Sequence, residues 1–418
     1  VFLTQGTNVN SAPLNATGVL ATGLWIDSSG PLSALYDGTK GDVFLWTSLA
    51  PMGDALSSGS MHLLLGAPTL QRIAFLEMGV LEEGTLSNPL RLKAVHSILA
   101  SEYLGATDPT DFGHAIAITA VQPEFVAPSM TQGFNSHVSL AMGAPGSTGN
   151  SGGVANGRLF LVAARKADFG HEGTMQCDPP SGESNLQFGA SVAALPDITG
   201  DGFPDVAVGA PGLNGGAGGV YIVSIAGTAC PSSALTLLPP PPNTLVLGWG
   251  ASIAFAGLTP RCGSAPGSSA LLAVGAAAGS ASSTVGLVQW NPAGSSAPFG
   301  HAWLPGVSAA DAASVPGVLL GEGGEGGGTF GAALAMVPPY TPLGNLQLLI
   351  SAPSAQGSNV TQLMVAELPF PPGGNSGTCP AALAVLPHAG LSPSLQRMCP
   401  HLALLPAPLH QSAVSVGA

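Results

Sequence analysis

Residues 197–211 read DITGDGFPDVAVGAP. Three aspartates, Asp197, Asp201 and Asp205, stand four apart and run straight into an apolar segment that ends Gly-Ala-Pro. The end of this stretch recurs along the chain. VAVGAP at 206–211 has relatives in LLLGAP at 63–68, LAMGAP at 140–145, LAVGAA at 272–277, LLISAP at 348–353 and VSVGA at 414–418. The small residue that opens each Gly-Ala pair lies at 66, 143, 209, 275, 351 and 417, at intervals of 77, 66, 66, 76 and 66. A poorer copy, VFLTQG, stands at 1–6.

Two further marks accompany the copies. An aromatic-Gly pair precedes four of the copies: FGHAIAI from Phe112, FGASVAA from Phe188, WGASIAF from Trp249 and FGAALAM from Phe330. A Gly-led apolar run follows three of them: GRLFLVAA from Gly157, GVYIVSIAG from Gly219 and GLVQW from Gly286. The runs are four to six residues long and bounded by Gly and Pro, which predicts strands rather than helices. Unbroken apolarity predicts strands covered on both faces. Each unit has room for a fourth strand, and four strands in roughly 66 residues is the period of a propeller blade.

Composition agrees. Of 418 residues only 7% are charged, against about 25% in an average soluble domain. The 59 Gly and 38 Pro disfavour long helices and suit strands joined by turns. A net charge of −13 with nine Lys plus Arg speaks against a nucleic-acid partner and for a cation. No apolar run reaches the ~20 residues of a membrane helix. The chain opens at Val1 without a signal-peptide pattern, which points to a processed chain or a fragment.

These units resemble the FG-GAP repeat, the blade of the integrin α-subunit head. The resemblance is strongest over 188–225. It implies an all-β fold, a single β-propeller of six or seven four-stranded blades. The approximate repeats are 1–45, 46–111, 112–187, 188–248, 249–329, 330–395 and a partial 396–418 that closes with the N-terminal segment. It also implies calcium in the loop between the first two strands, where the family pattern is Asp-x-Asp/Asn-x-Asp-Gly-x-x-Asp. Asp197, Asp201, Gly202 and Asp205 match, and Thr199 replaces the usual Asp or Asn.

Calcium takes six to eight oxygen ligands on a tightly turned loop. Asp197, Asp201 and Asp205 offer carboxylates, Thr199 a hydroxyl and Phe203 a backbone carbonyl. An EF-hand is disfavoured, because its twelfth position is Val208 and strand, not helix, follows. The equivalent loops at 121–137, 257–269 and 338–347 carry at most Glu124, so one structural calcium site is expected.

Other features carry less. Gly149–Gly153 matches G-x-S-x-G but lies between two strands, where a nucleophile elbow needs strand then helix. Glu322 and Glu325 sit in a glycine-rich loop. His114, His171 and His301 each follow an aromatic-Gly pair and read as one blade-interface feature. Cys177 and Cys230 flank the best repeat and are a candidate disulfide at the outer rim. Cys379 and Cys399 are a second candidate, and Cys262 is left over. Asn15 and Asn359 head glycosylation sequons.

The expected function is a non-catalytic extracellular adhesion or recognition module with a protein or glycan ligand on its loop face. The alternatives are a building block of an extracellular coat or filament, assembled with copies or other subunits, and an accessory propeller of a longer hydrolase.

Overall fold

The computed structural model describes residues 3–4, 24–25, 48–53, 60–80, 90–104, 110–120, 137–148, 155–165, 169–180, 184–225, 230–240, 247–260, 268–276, 284–290, 299–305, 331–337, 346–353, 361–368 and 386–387. A parallel pair, β1 (Leu3–Thr4) and β2 (Leu24–Trp25), comes first. Leu3–Thr4 of the VFLTQG copy therefore do not pair like the other described Gly-Ala strands, whose neighbours are antiparallel.

Five four-stranded sheets follow among the described residues. The first holds β3 (Ser48–Gly53), β4 (Ser60–Ala67), β5 (Arg72–Val80) and β6 (Leu90–Leu99). The second holds β7 (Ala115–Ala120), β8 (His137–Ala144), β9 (Arg158–Arg165) and β10 (His171–Cys177). The third holds β11 (Val192–Ala194), β12 (Val206–Gly209), β13 (Val220–Val223) and β14 (Leu235–Leu238). The fourth holds β15 (Trp249–Pro260), β16 (Ser268–Ala276), β17 (Thr284–Trp290) and β18 (Phe299–Pro305). The fifth holds β19 (Leu334–Val337), β20 (Leu346–Pro353), β21 (Thr361–Leu368) and β22 (Leu386–Pro387).

Within each sheet every strand pairs antiparallel with the next in sequence. Between sheets, first strand meets first strand: β3 contacts β7, β7 contacts β11, β11 contacts β15 and β15 contacts β19. Four-stranded meanders joined in series through their first strands form an all-β propeller.

The aromatic-Gly and Gly-Ala marks turn out to be the two halves of one joint. The glycine after each aromatic takes a left-handed backbone, with φ from 80 to 92° at Gly113, Gly189, Gly250 and Gly331. Its carbonyl then presses on the Gly-Ala strand of the preceding sheet. A Cβ on Gly143 or Gly209 would lie 1.9 Å from the carbonyl oxygen of Gly189 or Gly250, so only glycine fits. The same contact joins Gly66 to Gly113 and Gly275 to Gly331.

A hydroxyl seals three of these joints. Ser48, Ser191 and Ser252 donate to the carbonyls of Gly113, Gly250 and Gly331 at 2.6, 2.7 and 2.5 Å. In the second sheet the corresponding residue is Ala115, and no hydroxyl is there to donate.

The aromatic of each pair fills the space between sheets. Phe112, Phe188 and Trp249 are wholly buried, each worth about 1.5–3 kcal/mol of apolar burial. Phe112 meets Phe160 edge-on at 5.6 Å, and Phe188 meets Tyr221 likewise. Both faces of the strands are covered, as the unbroken apolar runs predict: all eight residues of β8 are buried, as are all of β12 and β13.

Candidate cation-binding loop

The antiparallel order places the loop between first and second strands on the face opposite the aromatic-Gly turns. In the third sheet this loop runs from β11 to β12 and is tied at its base by the Leu195 N–H to the Asp205 carbonyl, 2.9 Å. It turns at Gly200 and Gly202, with φ of 80 and 91°. A side chain at either would meet nothing, so it is the backbone angle that calls for glycine there.

All three aspartates face into the loop. The Asp197 carboxylate accepts the amides of Gly200, Asp201 and Gly202 at 2.6, 3.2 and 2.9 Å. Asp205 accepts the amides of Ile198 and Thr199 on one oxygen, at 2.8 and 2.9 Å, and the Thr199 hydroxyl on the other, at 3.1 Å. Asp201 accepts the Phe203 amide at 2.9 Å and the Ser224 hydroxyl on its second oxygen. Phe203 thus enters this network through its N–H.

The electrostatics are one-sided. Asp205 is fully buried, and burial pushes its carboxyl up to about 6. The Ile198 and Thr199 hydrogen bonds oppose that rise, while the negative charge of Asp201 adds to it. Residues 195–225 contain no Lys, Arg or His. Among the described residues no ion pair reaches the three aspartates.

The donor set fits a hard cation in kind: three carboxylates, with hydroxyl and carbonyl oxygens beside them and no soft ligand. With their amide contacts made, the carboxylates do not converge on a point. Among the described residues no group of three or more His, Cys, Asp or Glu stands in metal-holding geometry. Asp197, Thr199, Asp201, Phe203 and Asp205 lie together on one loop. Ser224, from beyond β13, joins them through Asp201. Sequence reading misses Ser224, whose only signal is the register that sets the end of β13 beside the start of β12.

Cys177 and Cys230 are disulfide-bonded, with Cα atoms 5.2 Å apart. The bond ties the end of β10, the fourth strand of the second sheet, to the segment that enters β14 of the third. Cys262, Cys379, Cys399, Asn15, Asn359, Gly149–Gly153, Glu322 and Glu325 lie outside the described residues.

The three histidines do not share a position. His114 lies just before β7, a first strand, whereas His171 and His301 lie on β10 and β18, both fourth strands. Phe169 explains the difference. At φ 57° it stacks on Phe75 of the first sheet, centroids 3.9 Å apart, and its carbonyl accepts the Tyr103 hydroxyl at 2.8 Å. Phe169-Gly170-His171 therefore belongs to a hairpin between third and fourth strands, not to the blade-opening joint.

The family match falls on this same unit. Residues 188–223 match the FG-GAP repeat family. A 67-residue stretch is 47% identical to integrin alpha-10 of Homo sapiens, covering 16% of this chain and 6% of that protein. Integrin alpha-2 of Mus musculus is 39% identical over 66 residues, 16% of this chain and 5% of that protein. Integrin alpha-2 of Bos taurus is 41% identical over 66 residues. The matched stretches span about one-twentieth of these relatives. The chain carries an FG-GAP repeat and has the propeller architecture around it. Among the described residues no helix is long and apolar enough to cross a membrane.

Proposed function

We propose that this chain is a non-catalytic, extracellular FG-GAP propeller of six or seven blades. It acts as an adhesion or recognition module that presents its loops to a protein or glycan ligand. The single observation behind this reading is the 188–223 unit, where the family match and the aspartate loop coincide.

Both end sheets favour further blades. Leu63, Leu64 and Leu65 on β4 are 0, 0 and 4% exposed, and Leu348, Leu349 and Ile350 on β20 are 0, 5 and 2% exposed. Consecutive strand residues point to opposite faces, so each end sheet is covered on both.

In this reading the 197–205 loop holds one structural calcium. Asp197, Asp201 and Asp205 supply carboxylates, Thr199 a hydroxyl and Phe203 a carbonyl. A bound cation supplies the positive charge that buried Asp205 lacks. The chain's own part is to gather these oxygens on one short loop. Thr199 in place of an acid removes one negative charge and weakens the site relative to a full set.

A second reading, a building block of an extracellular coat or filament, draws on one observation. A chain with 7% charged residues has a surface closer to a buried interface than to a free exterior. Sedimentation velocity over a range of protein concentrations, in calcium and in chelator, separates the two. A single monomer species is the expected result for a recognition module; concentration-dependent assembly replaces that reading with the building block.

A further inference from the structure

We infer that Asn214, at the tip of the β12–β13 loop, is a deamidation site. In the folded chain it converts to aspartate and isoaspartate, with water as the co-reactant.

Two Asn-Gly pairs occur in the sequence, Asn156-Gly157 and Asn214-Gly215. Both lie between the second and third strands of a sheet, on the face that carries the aromatic-Gly turns. The chemistry of such a pair needs only its own atoms. The backbone nitrogen of the glycine loses its proton to hydroxide and attacks the asparagine Cγ. An N–Cγ bond closes a five-membered imide. The Cγ–Nδ2 bond breaks, and Nδ2 leaves as ammonia with a proton from water. Water then opens the imide at either carbonyl. Breaking the new N–Cγ bond gives aspartate. Breaking the original peptide bond gives isoaspartate, with the main chain rerouted through Cγ. The net change is one water consumed and one ammonia released. Glycine favours the step because it has no Cβ to crowd the attacking nitrogen.

The fold treats the two pairs in opposite ways. Asn156 is 4% exposed, and its side-chain oxygen accepts the Asn185 N–H at 2.8 Å. The Gly157 N–H, on the attacking nitrogen, donates to the Ser147 carbonyl at 2.9 Å. Gly157 also lies against Phe188, whose carbonyl oxygen would be 2.1 Å from a Cβ there. Burial keeps hydroxide from both groups, and these contacts keep them from turning toward each other.

Asn214 and Gly215 are both exposed, and a Cβ on Gly215 would meet nothing within 4 Å. The loop is anchored on either side of the pair. The N–H of buried Leu213 donates to the Ala210 carbonyl at 3.1 Å, and the Gly216 carbonyl accepts the Gly248 N–H at 2.7 Å. Asn214 stands at φ 54° and ψ 43°, a left-handed conformation that costs a residue with a Cβ. At that ψ the Gly215 nitrogen points away from the Asn214 side chain, so the ring closes after a turn about the Asn214 Cα–C bond. Leaving the left-handed region relieves strain, and the open space around Gly215 leaves the turn unobstructed. The product puts a carboxylate on the aromatic-Gly face, beside the Gly216–Gly248 contact that reaches the opening of the fourth sheet.

The test is to age the full chain at mildly alkaline pH, folded and in guanidinium chloride, until the denatured sample has reacted. Peptic digestion in acid then arrests ring closure, and mass spectrometry reads the peptides that span each pair. Exchange of –NH2 for –OH appears as a mass shift, and electron-transfer fragmentation marks isoaspartate. In denaturant both peptides are expected to shift. In the folded chain the 214 peptide is expected to shift and the 156 peptide to stay unchanged. Asn214→Gln, whose longer side chain cannot close the five-membered ring, is expected to lose the shift. An unchanged 214 peptide in the folded chain overturns the inference. Equal shifts at 156 and 214 in the folded chain overturn it too, since the fold then selects neither pair. A shift that survives in Asn214→Gln assigns the change to another residue and likewise overturns it.

Discussion

The second and third sheets share one frame and fasten it differently. In both, a glycine of the second strand lies under the left-handed glycine that opens the next sheet: Gly143 under Gly189, and Gly209 under Gly250. At the Gly209 joint, Ser191 adds a hydrogen bond across to Gly250. At the Gly143 joint the position is Ala115, and the two sheets are instead crosslinked by Cys177–Cys230. The outer edge there also carries Arg158 paired with Asp178 at 2.8 Å. Backbone contact thus defines the joint, and the fastener varies from joint to joint. The aspartate loop belongs to the third sheet alone among the inter-strand loops compared in sequence.

The largest effect is expected where the two joints are alike. Gly143→Ala and Gly209→Ala each drive a Cβ to 1.9 Å from a carbonyl oxygen that belongs to backbone and cannot swing away. Each is expected to cost about 3 kcal/mol or more in urea unfolding, at the upper end for overpacking. Equal losses fit a shared frame; a harmless alanine at Gly143 breaks the comparison by making the disulfide, not the backbone contact, the seat of that joint.

Removing the crosslink comes next. Cys177→Ser with Cys230→Ser is expected to cost about 2–4 kcal/mol, with the closing of a long loop as the source. Amide exchange should rise around β10 and β14 and stay unchanged between β12 and β15. The serine fastener is smaller. Ser191→Ala is expected to cost about 1–2 kcal/mol, because the Gly250 carbonyl loses a buried donor. Ala115→Ser, offered the same carbonyl geometry at Gly189, is expected to stabilise by up to about 1 kcal/mol.

A pH dependence is also expected in metal-free protein. The Asp205 carboxyl sits at about 6 in the folded chain, above its ordinary value of 3.8. A raised carboxyl binds its proton more tightly when folded, so its contribution to stability is complete below 3.8 and lost as pH rises through 6. Wild type should therefore lose stability relative to Asp205→Asn across that window in chelator. A flat difference contradicts the burial of the charge.

What was legible in the sequence follows from how specific each constraint is. Close backbone approach admits only glycine, so the aromatic-Gly and Gly-Ala marks stand out at a steady period and carry the propeller fold. Asp197, Asp201 and Asp205 were legible for the same reason, as acids in a chain that has few. The serine bonds were not, because serine is common here and each partner lies about 60 to 80 residues away. Ser224 was hidden as well, as one serine among many and 23 residues from Asp201. The histidines misled because Phe-Gly-His occurs both at a blade opening, 112–114, and in a hairpin, 169–171, where only Phe169's contacts with the first sheet tell them apart. The strand at Leu3–Thr4 shares the apolar run of its relatives but pairs in parallel, a choice that no local pattern encodes.

The most direct test of the account is calcium titration calorimetry on the intact chain and on Asp201→Ala. The account predicts one site in the intact chain and none in the variant. No heat of binding in the intact chain would contradict it and leave Asp197, Asp201 and Asp205 as formers of a turn.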